Sequence, residues 1–221
     1  MTKHGFGYKN VFNKELISNW ETSQEKIKFP DDKNWKQYVE DTRLEISCGE
    51  APYLVSRYDS VTGKLIPIKD RVGLLDRKIR IVNENVENKE EWLIWTKKSF
   101  QNVYGYDWQG DNVLLARENL LYTLIDYYEE RFNEKIDEHI LIEFAEIISW
   151  NIWQMDGLKF VIPNSCHNED EIQYSLFKDA PKGKKCIGCA KNIKDKHNGK
   201  KCLIMDWKKN KKIKYVSLIG G

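Results

Sequence analysis

Apolar residues fall at helical spacing in three stretches of the chain. Glu90 to Gln101 sets Trp92, Trp95 and Ser99 on one side. Asn112 to Phe132 repeats Val113, Ala116, Leu120, Leu124 and Tyr128, with Arg117, Glu129 and Arg131 turned outward. A third helix, capped by Asp137, carries Ile140, Phe144, Ile147 and Ile148. Shorter apolar runs read as strands: Leu44–Cys48 running into Gly49, Val103–Asp107, and Trp150–Met155 leading to Asp156-Gly157. Thr62-Gly63 marks a hairpin-like turn between Tyr58 and Ile66. Strand, helix, strand, helix, strand is the order of an α/β domain with a parallel sheet. Upstream, Leu16, Ile17 and Trp20 fit one helical face, and Trp35, Tyr38 and Val39 another, with a turn at Pro30-Asp31-Asp32. The pattern divides the chain into an N-terminal helical segment (1–40), an α/β domain (41–163) and a C-terminal module (164–221).

Composition changes the reading of the last part only. With 41% hydrophobic and 32% charged residues in 221, the chain can build an ordinary core. No apolar run approaches the roughly 18 residues of a membrane span. The N-terminus Met1-Thr2-Lys3-His4-Gly5 lacks the apolar stretch of a secretory signal, so a cytoplasmic location is expected. The net charge of +2 hides an asymmetry. Lys178 to Lys214 holds fourteen lysines against Asp179, Asp195 and Asp206, a net of +11, leaving −9 elsewhere. A basic module on an acidic body points to an anionic partner, with DNA foremost. Lysine without arginine suits phosphate attraction rather than bidentate base reading, so backbone contact is expected.

Four of the five cysteines lie in that module. Cys186-Ile187-Gly188-Cys189 is a C-x2-C knuckle, and His197 and Cys202 follow with four residues between them. C-x2-C…H-x4-C offers four ligands suited to tetrahedral zinc, and the pair Cys166-His167 competes for the place of His197 or Cys202. A closed four-ligand site is structural rather than catalytic. A zinc-braced nuclease of the His–Asn–His type needs a further Asn or His on a following helix. Lysine-rich sequence without histidine follows Cys202 instead.

Ligands of open α/β sheets sit at the carboxyl ends of the strands. Those ends carry Ser47-Cys48-Gly49-Glu50-Ala51, Asp107 and Asp156. A glycine there admits close backbone approach, and acids can accept from ribose hydroxyls and from an exocyclic amine. Together they would suit an adenosine cofactor.

The order of these pieces resembles a known family. Glu45-Ile46-Ser47-Cys48-Gly49-Glu50-Ala51-Pro52-Tyr53-Leu54 is similar to motif I, D-P-x-C-G-S-G-x-F-L, of DNA adenine-N6 methyltransferases. Tyr104-Gly105-Tyr106-Asp107, followed by Asn112 and Ala116-Arg117, resembles the second motif, and Asn151 to Leu158 the third. Residues 35–221 as a whole resemble methylation subunits of bacterial and phage restriction–modification systems. The resemblance implies a Rossmann-like fold that binds S-adenosylmethionine (SAM). Glu45, Ser47, Cys48, Gly49, Glu50 and Ala51 would lie near the methionine part, Asp107 at the ribose and Asp156 at the adenine amine. The chain departs from the pattern at Ala51 and Ile46, where the family has Gly and Pro, and Glu50 adds an acid. The catalytic tetrapeptide N/D-P-P-Y/F is absent; Ala51-Pro52-Tyr53 lacks its polar head. Tyr215 to Gly221 reads as a strand leading toward such a motif. The expectation is therefore a methyltransferase-like subunit needing a second polypeptide. The alternative is a non-catalytic zinc-containing adaptor, regulatory or anti-restriction, that binds DNA or protein.

Overall fold

A computed structural model describes residues 13–15, 20–30, 33–59, 61–168 and 185–218. The N-terminal part differs from the helical expectation. Asn13–Glu15 (β1) and Trp20–Thr22 (β2) form an antiparallel pair, which places Trp20 on a strand; residues 16–19, with Leu16 and Ile17, lie outside the described set. Lys33 N bonds Pro30 O, while Asp31 and Asp32 of the expected turn lie outside the described residues. The short helix α1 (Trp35–Glu40) follows. Asn34 and Gln37 cap its first turn reciprocally, at 3.0 and 3.1 Å.

The centre is a parallel sheet of Arg43–Ile46 (β3), Val103–Asp107 (β4) and Ile152–Gln154 (β5), in the order β3-β4-β5. The connections carry helices Leu74–Asn85 (α2), Lys89–Gln101 (α3), Gly110–Phe132 (α4) and Glu138–Asn151 (α5). In register, Glu45 pairs Gly105, which pairs Ile152, so these side positions share one face. That face packs into a core with the helices, where Val103, Ile152, Leu120, Leu124 and Phe144 are buried. Phe100 meets Phe144 edge-on at 5.0 Å, joining α3 to α5, and Trp92 meets Phe132 edge-on at 5.3 Å, joining α3 to α4.

Two arginines read as outward-facing on α4 turn inward. Arg117 donates to Ser149 O and Ile152 O at the end of α5, and Arg131 to Asn83 O and Val86 O at the end of α2. Carbonyls freed at a helix end need donors, and a long arginine stem delivers one from a neighbouring helix. Only Glu129 of the three is fully exposed.

The opposite face of the sheet carries Tyr104, Tyr106 and Trp153. It is covered by the antiparallel hairpin Leu203–Asp206 (β6) and Lys211–Lys214 (β7), which follows the short helix Ile187–Lys191 (α6). Trp153, Met155, Phe160, Cys202, Ile204 and Tyr215 form this second core. Tyr215–Leu218 is a 3-10 turn rather than a strand, because Tyr215 is drawn under Trp153 and Phe160; residues 219–221 lie outside the described set. Among the described residues, no helix is long and apolar enough to cross a membrane.

Candidate metal centre

Four side chains converge where the C-terminal module meets the loop after β5. Cys166, Cys186, Cys189 and His197 place their ligand atoms all within 4.8 Å of one another. His197 Nδ1 lies 3.6 Å from Cys166 Sγ, 3.9 Å from Cys186 Sγ and 3.5 Å from Cys189 Sγ. Tetrahedral zinc with Zn–S and Zn–N bonds of about 2.3 and 2.0 Å separates neighbouring ligands by roughly 3.5 Å, so the group could hold such an ion.

The local sequence explains the convergence. Cys186 caps the one-turn helix α6 on which Cys189 stands, and Asn192 ends that helix in a left-handed conformation. Gly188 is required: a Cβ there would lie 2.5 Å from His197 N and 2.7 Å from its ring. Gly199 likewise leaves room for Ser165 and Cys166, whose atoms a Cβ would meet at 2.6 to 3.1 Å. Asn198 joins the two halves. Its N–H donates to Cys186 Sγ at 3.3 Å, its side-chain amide to His167 O at 2.8 Å, and its Oδ1 accepts from His167 N at 3.2 Å.

The electrostatics of His197 and Cys186 favour metal-binding protonation states, and those of Cys189 oppose the thiolate. Burial, with Lys201 and Lys159 nearby, lowers the His197 pKa and keeps the imidazole neutral. Burial opposes ionisation of Cys186, but N–H groups of Asn198, Cys189 and Gly188 outweigh it and bring the thiol down to about 7. Cys189 is pushed up by burial and by the other two thiols, a repulsion that a divalent cation would relieve.

Cys202 is not in this group. It is buried in the second core with Sγ 3.4 Å from Gln154 O, and burial pushes its thiol up to about 12. The reason is backbone pairing: Lys201 bridges to Val161, and Cys202 N bonds Phe160 O. That pairing turns the Cys202 side chain toward the sheet.

The other sequence-selected residues sit at the carboxyl ends of the three parallel strands. Ser47, Gly49 and Ala51 alternate in left-handed backbone, with φ of 52°, 53° and 65°. Gly49 N donates to Asp107 Oδ2 at 2.9 Å, tying the loop after β3 to the end of β4. Gly105 makes that approach possible, since a Cβ there would lie 3.2 Å from Cys48 Sγ. Asp107 also accepts from Gln109 N at 2.8 Å and Asn112 Nδ2 at 3.2 Å. Glu45 is buried and accepts from Leu54 N; burial raises its carboxyl to about 7. Glu50 lies at the surface and bonds Tyr58. Asp156 accepts from Leu158 N and Lys159 N at 3.0 and 3.1 Å, with Lys159 Nζ 3.4 Å away. Each of these buried acids is thus engaged by strand-end loops, Asp107 by two of them.

Sequence reasoning missed the Asn198 clamp and the buried Asp76 and Lys78; an Asn directly after a ligand histidine was the available signal for the first. The chain matches no family model, no curated protein and no solved structure.

Proposed function

We propose that the chain is a zinc-braced, SAM-binding subunit of a DNA adenine methyltransferase-like assembly in a restriction–modification system, completed by a second polypeptide. The observation that carries the reading is the Gly49–Asp107 bond. It sets a tight, left-handed loop beside an acid at adjacent strand ends, where open parallel sheets bind nucleotides. A ribose reaching Asp107 would displace the Asn112 amide, the longest of the three bonds that carboxylate accepts. Zinc held by Cys166, Cys186, Cys189 and His197 would brace the module against the sheet. The need for a partner is supported by β3. Among the described residues no strand pairs its outer edge, and Ile46 on its hairpin-side face is 64% exposed. Parallel sheets are ordinarily covered on both faces.

A second reading, a zinc-containing adaptor without cofactor, draws support from the engagement of Asp107, Asp156 and Glu45 by strand-end loops of the chain itself. Calorimetric titration with SAM separates the two. A dissociation constant below about 100 µM, lost in Asp107→Ala, supports the first. No heat up to about 1 mM SAM rejects it in favour of the adaptor.

A further inference from the structure

The hairpin β6–β7 leaves part of its sheet face open. Between it and the free edge of β3 lies a cleft of about 650 Å³, within the size range of ligand sites. Leu44, Tyr104 and Trp153 line it from the sheet, and Ile204, Trp207 and Tyr215 from the module. It lies on the face of the sheet, away from the strand-end loops of Gly49 and Asp156.

Charged groups stand beside neutral Thr42, Gln101 and Asn102 around it. Glu40 pairs with Lys98 at 2.8 Å, and Asp206 accepts from the backbone N–H of Lys209 at 3.2 Å, with the Lys209 ammonium 3.7 Å away. Lys208 also lines the cleft and is exposed. Beyond it the hairpin presents Lys209, Lys211, Lys212 and Lys214, all exposed, so Leu203 to Lys214 holds five lysines against Asp206 alone.

An amphipathic helix would want a continuous apolar groove, but this cleft has charges at both rims. A rigid duplex can meet the lysines with its phosphates but cannot insert a stacked, paired base into a recess on a sheet face. A single strand can do both at once. Its phosphates suit a lysine row, and its unstacked bases suit aromatic surface whatever their sequence. We infer that the cleft receives an unstacked base of single-stranded nucleic acid while the hairpin lysines hold the flanking phosphates. The inference rests on the basic tail binding nucleic acid, and specifies the form bound and the place of the base.

The test uses the full chain and a fluorescein-labelled dT12, against a 12-base-pair duplex and poly-glutamate of matched length, at one salt concentration. Anisotropy should give binding of dT12 at least about tenfold tighter than the duplex, with quenching of tryptophan fluorescence. Leu44→Glu and Leu218→Glu alter exposed positions lining the cleft. Each should weaken dT12 binding about tenfold and leave the duplex unchanged. Lys208→Glu with Lys211→Glu should weaken both. Equal affinity for dT12 and duplex, insensitive to Leu44→Glu, overturns the cleft assignment but keeps a nucleic-acid-binding tail. Poly-glutamate binding as tightly as dT12 overturns it too, since charge alone would then suffice. Absence of binding to any nucleic acid overturns both.

Discussion

Cys202 lies five residues beyond His197 (202 − 197) and Cys166 thirty-one before it, yet Cys166 is the one that reaches the imidazole. Spacing alone left both as ligands, because the pattern C-x2-C…H-x4-C is complete without Cys166. What decides is the pairing of Lys201 with Val161, which turns Cys202 into the second core. Elemental analysis should therefore find about one zinc per chain in Cys202→Ser and a loss of zinc in Cys166→Ser. Cys202→Ser should instead lower stability by about 1–2 kcal/mol, as expected for a polar atom placed in an apolar core. Retention of full zinc by Cys166→Ser would contradict the assignment. Glu45 makes a second prediction at this scale. Its carboxyl is raised from 4.5 to about 7 by burial, so the folded state holds the proton more tightly than the unfolded chain does. The resulting stability is complete below pH 4.5 and is lost as pH rises through about 7. Glu45→Gln should flatten the slope of unfolding free energy across that window; an unchanged slope would show that Glu45 is ionised throughout.

Among the elements, α3, α4 and α5 were legible because each carries an apolar face at helical spacing, and β4 because its buried positions alternate. β3 was legible only from its short run into Gly49, since Glu45 is its buried residue and Leu44 and Ile46 are exposed. The helix α2 was not. Its buried face includes Asp76 and Lys78 beside Leu75, Ile79 and Val82, which breaks any apolar template. Asp76 accepts from Gly73 N and from Ser56 N and Oγ, fixing the start of α2 to the loop after β3. Lys78 donates to Val39 O at 2.8 Å, to Asp41 O, and to Asn102 O at 3.2 Å. It thereby satisfies carbonyls at the ends of α1 and α3, a role assigned by tertiary geometry rather than local propensity. Lys78→Met keeps the stem and orphans those carbonyls, and should cost about 2–3 kcal/mol in urea denaturation. A loss under about 0.5 kcal/mol would mean water reaches them. The strands β1 and β2 escaped for the opposite reason: three residues each are too short to show a period.

At the scale of the whole molecule, the sheet separates two cores. The helical core stands on long periodic elements, whereas the second depends on a short hairpin that follows the Cys–His group in the chain. The proposed reading makes a prediction about chemistry at this scale. Methyl transfer to an exocyclic amine requires that amine held in line with the sulfonium methyl, and positioning supplies most of the rate. On the proposed reading, an N/D-P-P-Y/F motif would accept from the amine and stack an aromatic on the flipped base. That tetrapeptide does not occur in these 221 residues. Asp206 and Trp207 cannot stand in for it. Asp206 is engaged by Lys209 within the hairpin's own turn, and the Trp207 indole N–H donates to buried Asn151 at the end of α5 at 2.7 Å, so both are already committed to holding the hairpin's structure and position. The open edge of β3, next to the Ser47–Ala51 loop, is where a partner strand would bring the missing groups to the cofactor. Tritiated SAM with unmodified DNA should therefore give no transfer with the chain alone, and transfer once the partner polypeptide is added. Ile46→Asp, at the end of that edge, should abolish the restored activity while leaving SAM affinity within about twofold, because it alters the docking strand and not the acids. Robust transfer by the chain alone, abolished by Asp107→Ala, would show that its own residues complete the site.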